Sequence, residues 1–142
     1  MAERGRPRAF DEEEVLDVAM RLFWEHGFDG TSMSDLTEAM GINRRSVYAA
    51  FGNKEALFTA AFERYRAGPG AFVEKARALP TAREVAEAFL RGSVEAFTSS
   101  DRPSGCMAVH SGLCSSDAAA ARIRPFVKWV AILVLMIVSF LT

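Results

Sequence analysis

Cysteine, histidine and proline are scarce in this chain, and neither sign of charge dominates it. Among 142 residues there are two cysteines, two histidines and five prolines. Two cysteines cannot staple a chain of this length into a disulfide framework, and the charged opening MAERGRPRAF is not a secretory leader, so the expected compartment is a reducing cytoplasm. Seventeen basic residues stand against eighteen acidic ones, for a formal net charge of -1. That balance excludes a polycation held to nucleic acid by its bulk field; any such contact must come from a local patch. Residues 1–66 themselves hold more acids than bases, so the arrangement of Arg4, Arg6, Arg8, Arg44, Arg45 and Lys54 matters more than their sum. No repeat, no strand-type alternation, no nucleophile–base pair, no phosphate loop and no paired carboxylates in a pocket-like context are evident, so neither an enzyme nor a resident cofactor is expected. What is abundant is apolar residues, 50% of the chain, enough for a real core and placed at helical spacing throughout. The expected fold is all-α.

The most informative stretch is Thr31 to Phe51, TSMSDLTEAMGINRRSVYAAF. A capping box opens a first helix, with Ser32 capping the amide of Asp35 and Asp35 reaching back. Leu36, Ala39 and Met40 then fall on one apolar face. Gly41 supplies the left-handed residue that ends a helix without steric cost, and Ile42 is the hydrophobic contact beyond it. Asn43 caps the next helix, in which Val47 and Phe51 sit four apart and face inward. Its other positions, Arg44, Arg45, Ser46, Tyr48 and Ala49, are cationic, polar, amphipathic or small. Both arginines occupy the first turn, where the helix dipole disfavours cations, so local stability does not explain them. The spacing predicts a helix-turn-helix over 32–51 whose second helix reads double-stranded DNA, against the blander reading of a helical hairpin with solvated arginines.

The flanks agree. Arg4, Arg6 and Arg8, interleaved with Gly5 and Pro7, are either a frayed basic tail or an arm over 1–9 that follows phosphates beside the reading helix. A first helix is expected to begin with a capping box of Asp11 and Glu14, with Phe10 stapled to Val15, an apolar stripe of Val15, Val18, Ala19, Leu22 and Phe23, and an end at His26-Gly27. After Gly52, Asn53 caps a further helix whose first residue is Lys54; a lysine beside free helix amides is an anion site, here for a DNA phosphate. Leu57, Phe58, Ala61, Phe62 and Tyr65 give that helix its inner face, and Gly68-Pro69-Gly70 is the expected domain boundary.

The basic arm followed by LDVAMRLFWEHGFDGTSMSDLTEAMGINRRSVYAAFGNKEALFTAAFERY, with its G-F-x-G-T-S, V-Y-x-x-F and N-K-E-x-L elements, resembles the DNA-binding region of the tetracycline-repressor (TetR) family of bacterial transcriptional regulators. The likeness covers about the first 66 positions. It implies a three-helix, homeodomain-like DNA-binding domain at 1–67, in which Thr31 and Ser32 touch phosphates, Arg44, Arg45, Ser46 and Ala49 face bases, and Tyr48 and Lys54 clamp the backbone. It implies a ligand-responsive repressor that binds a palindromic operator as a homodimer, with residues 71–142 as the helical domain for an unidentified small-molecule effector and for dimerisation.

That second half carries no motif of its own. A short helix is expected from Phe72 to Leu79, then a longer one opened by a capping box of Thr81 and Glu84, with Val85, Ala88, Phe89, Gly92, Ala96 and Phe97 inward. Gly92 within a helix points to a close helix crossing or to room for a ligand. Asp101 to Gly105 is a loop. Cys106, His110 and Cys114, four apart, share a helical face; without an evident fourth ligand they read as core residues rather than a metal site. The expected effector pocket takes in Phe89, Gly92, Phe97, Cys106 and His110. Asp117 caps the last helix and Pro125 kinks it. From Trp129 to Thr142 there is no charge, and these fourteen residues fall short of the roughly 20 that span a membrane. A membrane- or partner-associated helical protein, driven by this run, is the alternative to the DNA-binding reading. The family's chain usually continues through a further helix, so the C-terminal domain is expected to be incomplete.

Overall fold

The computed structural model describes residues 10–113 and 117–141. Within them the regular elements are helices alone: α1 (Glu12–His26), α2 (Met33–Met40), α3 (Arg44–Phe51), α4 (Lys54–Ala67), α5 (Ala71–Arg77), α6 (Ala82–Thr98), α7 (Met107–Leu113) and α8 (Asp117–Leu141). The all-helical expectation holds. The basic arm with Arg4, Arg6 and Arg8 lies outside the described residues, as does Cys114.

Helix ends follow local chemistry with small departures. The Asp11 carboxylate accepts from the Glu13 amide at 2.9 Å, so α1 has a simple cap where a capping box with Glu14 was expected. Three glutamates fill its first turn and favour the dipole. Thr81 accepts from the Glu84 amide at 3.3 Å, and its hydroxyl donates to the Glu84 carboxylate at 2.6 Å, which joins the two side chains without the return bond of a capping box. The helix expected over Phe72–Leu79 runs over Ala71–Arg77. The capping role of Asp117 falls outside the described side chains, and α8 continues through Pro125.

One apolar cluster holds the molecule together. Phe23, Phe28 and Phe58 pack edge-to-face and stacked, Phe62 continues the row to Tyr65, and Trp24 meets Tyr65 edge-on at 4.8 Å. Met20 and Trp24 are buried alongside the expected stripe of α1, while Val18 and Leu22 are only partly covered. The same cluster runs on through Val73, Phe89, Met107 and Ile123 to Ile137, with Phe62 of α4 set edge-on to Phe126 of α8 at 5.7 Å. Gly68-Pro69-Gly70 therefore breaks a helix but not the core. Gly92 resolves towards packing: a Cβ there would meet the Phe72 side chain at 2.7 Å, so α5 crosses α6 at the one place where a side chain is missing.

Two sets of contacts fasten α1 along its length. Arg64 of α4 forms a bidentate pair with Asp17, one bond at 2.7 Å, and also reaches Glu13. Nearer the end of the helix the Trp24 indole donates to the Gly105 carbonyl at 3.0 Å, Arg21 donates to the Asp101 carbonyl at 2.9 Å, and His110 Nδ1 lies 2.8 Å from the Trp24 carbonyl, which fixes a proton on that nitrogen. No described helix is long and apolar enough to cross a membrane.

Candidate nucleic-acid interface

The α2–turn–α3 unit is built as its residues dictate. Ser32 accepts from the Asp35 amide at 3.1 Å while Asp35 accepts from the Ser32 amide at 2.8 Å, a complete capping box. These hydrogen bonds from Ser32 hold the Asp35 carboxyl below the usual carboxylate range. Gly41 sits at φ 65°, the left-handed turn that a Cβ would strain. Asn43 then accepts from the Ser46 amide at 2.9 Å and starts α3.

Only Val47 of α3 is buried outright, wedged into the core beside the partly covered Ile42 and Phe51. With that side anchored, helical geometry turns Arg44, Arg45, Tyr48 and Ala49 out to solvent, with Ser46 half-buried at the edge. Arg44 lies back along its own helix: its Nε donates to the Tyr48 hydroxyl at 3.2 Å and its guanidinium carbon is 5.6 Å from the ring centroid. Arg45 has no partner among the described residues. The outward face thus presents one free guanidinium, one held against a tyrosine, and a small residue that lets the helix approach a surface closely.

Lys54 opens α4 directly after the Asn53 cap, which accepts from the Ala56 amide at 2.7 Å. Its ammonium lies 4.3 Å from the centroid of the Phe28 ring, so a core aromatic orients the cation beside the exposed helix amides. Ser32 is exposed at the start of α2, where its side chain and its amide both engage Asp35. Thr31 is a correction. It is fully buried, and its hydroxyl donates to the Gly27 carbonyl at 2.7 Å, so it secures the α1–α2 turn and has no side-chain proton for a phosphate.

The five residues expected around an effector fall into two groups with different neighbours. Phe89 and Phe97 both pack on Phe72, at 5.8 and 6.3 Å between ring centroids, and Phe72 also fills the notch at Gly92. Cys106 and His110 lie against α4 and α1 instead: the Tyr65 hydroxyl donates to Cys106 Sγ at 3.5 Å, and burial pushes the Tyr65 hydroxyl's pKa far up. No group of metal-ligating side chains occurs among the described residues. A cavity of about 290 Å³ opens elsewhere, between the start of α6 and the second half of α8. Its signal in the sequence is faint, a tryptophan at the head of an uncharged run.

Comparison with known proteins places this geometry. Residues 15–61 match the family model described as bacterial regulatory proteins, tetR family. The HTH-type transcriptional repressor ComR of Escherichia coli K12 is 40% identical over 110 residues, 75% of this chain and 52% of ComR. The HTH-type transcriptional regulator YezE of Bacillus subtilis strain 168 is 34% identical over 110 residues, 77% of this chain and 57% of its own length. The chain spans about half the length of these curated relatives. Among solved structures, a cysteine-substituted form of the TetR family transcriptional regulator CifR, complexed with 26-base-pair double-strand operator DNA, superposes with a TM-score of 0.73 at 40% identity, covering 87% of this chain and 64% of that one. Residues 15–61 thus form a domain of the tetR family of bacterial regulatory proteins, and the helical frame that continues beyond them is similar to that of CifR.

Proposed function

We propose that the chain is a DNA-binding transcriptional regulator, a ligand-responsive repressor acting as a homodimer on a palindromic operator in the cytoplasm. The observation that carries this reading is α3, pinned to the core by Val47 while Arg44, Arg45, Tyr48 and Ala49 face solvent. The repressor ComR and the operator-bound CifR, both about as similar to this chain as each other, support it. Residues 1–67 serve as the DNA-binding domain, with arm 1–9 and helix-turn-helix 32–51. Arg44, Arg45, Ser46 and Ala49 face base edges; Ser32, Tyr48, Lys54 and the arm hold phosphates. Residues 71–142 form the effector and dimerisation domain. There Leu135 and Val138 are each more than half exposed on α8, part of an apolar face that a second copy covers. Two copies place two reading helices about 34 Å apart, in successive major grooves. An effector shifts the population between spacings that match this distance and spacings that do not. This activity requires no catalytic group.

Selection of bound sequences from a random duplex pool tests the reading. The expected product is an inverted repeat with half-site centres about 10 base pairs, or a multiple, apart. A folded protein that enriches no sequence from the pool refutes it.

A further inference from the structure

The cavity beside α8 has a chemistry of its own. Its apolar wall comes from Trp129, Ile132, Leu133 and Met136 of α8, faced by Val85 and Ala86 of α6. At about 290 Å³ it holds roughly ten water-sized groups, near the lower limit for small-molecule sites. Arg77 and Arg83 supply charge at its edge.

The two arginines differ in how far they are already engaged. Arg77 stacks on Trp129, 5.7 Å from the ring centroid, and lies 3.5 Å from Glu74, whose other oxygen accepts from Arg66 at 3.0 Å. Arg83 has no hydrogen-bond or ion-pair partner among the described residues. The acids nearest to it along α6 are committed elsewhere, Glu84 to the Thr81 hydroxyl at 2.6 Å and Glu87 to Arg91 at 3.4 Å. An uncompensated guanidinium beside an uncharged, tryptophan-walled space is complementary to a ligand with one anionic end and an apolar body.

We propose that this cleft binds a small aliphatic carboxylate, its chain between α6 and α8 and its carboxylate on Arg83, with Arg77 and Trp129 as the platform beside it. Such a ligand bridges α8 to α6, and α6 leads through the Asp101–Gly105 loop to Trp24 and Arg21 of α1. The proposal gives the effector of the regulator proposed above its chemical class and its place, and its regulatory consequence rests on that reading.

The test is calorimetric titration of the full chain with octanoate, with octanol as the uncharged control and DNA affinity measured separately. Octanoate is expected to bind the wild type, octanol about tenfold or more weakly, and Arg83→Gln to reduce octanoate affinity to the octanol level, as loss of a charge-assisted hydrogen bond requires. Ala82→Trp, at the exposed rim, is expected to weaken both probes together. Failure of octanoate to bind a chain that still binds DNA overturns the site, as does an Arg83→Gln variant that binds octanoate as the wild type does. Octanoate binding that depends on Arg83 in a chain without DNA affinity supports the site and removes the regulatory reading alone.

Discussion

The first four helices and the last three treat their apolar residues in opposite ways. In α1–α4 the large hydrophobic side chains are inside, and Tyr48 is the one large hydrophobic residue described as exposed before residue 79. That tyrosine stands on the reading face. From Leu79 onward Leu90, Val94 and Phe97 of α6 and a run of α8 residues that includes Leu135 at 67% are open to solvent. The N-terminal unit closes on itself around an aromatic row and offers a polar, cationic face. The C-terminal helices bury one side of themselves and leave another uncovered. The first arrangement suits a rigid reading head; the second suits a surface completed by a ligand or another copy of the chain.

Core truncation tests that contrast most severely. Phe58 is 1% exposed and contacts the rings of Phe23, Phe28 and Phe62. Phe58→Ala is expected to cost about 3–5 kcal/mol in denaturant unfolding, through lost burial and the cavity left behind. Leu135→Ser, at a position 67% exposed, should change unfolding of the separated chain by about 0.5 kcal/mol or less while lowering the sedimentation mass at a given concentration. Equal losses from the two variants would abolish the distinction.

The reading face comes next in size. Arg44→Ala and Arg45→Ala are each expected to lose about 1–3 kcal/mol of affinity for the selected operator and to relax base preference at one position per half-site. Arg45 should show the cleaner effect because it is free, whereas removal of Arg44 also releases Tyr48 from its hydrogen bond. Binding curves on operator and on scrambled duplex measure both. A uniform loss on every sequence would move these arginines from base edges to phosphates.

The N-terminal unit was legible from sequence because its signals are local. Ser32 and Asp35, Gly41 and Asn43 determine helix ends within a few residues of themselves, and the structure has each of them in the expected role. Thr31 departs from the phosphate contact that the resemblance implies, because its hydroxyl donates to the Gly27 carbonyl of the preceding turn, a contact that only the fold shows. The residues expected around an effector depend on contacts at longer range. Whether the space at Gly92 stays open depends on which side chain arrives from α5, and Phe72 arrives. The α6–α8 cavity depends on lining residues more than forty positions apart in sequence, from Ala86 to Trp129 at the nearest, with no periodicity to announce their separation. His110 likewise became a clasp on Trp24 through a contact that no spacing rule contains.

Lys54 distinguishes phosphate contacts from base contacts more gently. Lys54→Ala is expected to weaken operator and scrambled DNA alike and to reduce the slope of log affinity against log salt by about one unit. The Phe28 ring 4.3 Å away orients the ammonium but does not neutralise it, so the charge is still available to a phosphate. An unchanged salt slope would refute that role.

The smallest effect is the pH dependence of the α1–α4 clasp. The bidentate hydrogen bonds from Arg64 hold the Asp17 carboxyl below its ordinary value of 3.8, with the guanidinium charge adding to the effect. A carboxyl with a lowered folded-state pKa contributes stability that is fully present above 3.8 and is lost as pH falls through the folded value. Asp17→Asn should therefore be less stable than wild type at neutral pH, and the difference should vanish in acid. Asp17 is 46% exposed, so solvent screening limits the difference to about 1 kcal/mol or less, and added salt should shrink it further. Paired unfolding curves at pH 7 and pH 3 measure it. A difference that grows in acid would mean that the asparagine disturbs α1 by packing rather than by charge, and the hold on the reading head would then rest on Trp24 and the aromatic row alone.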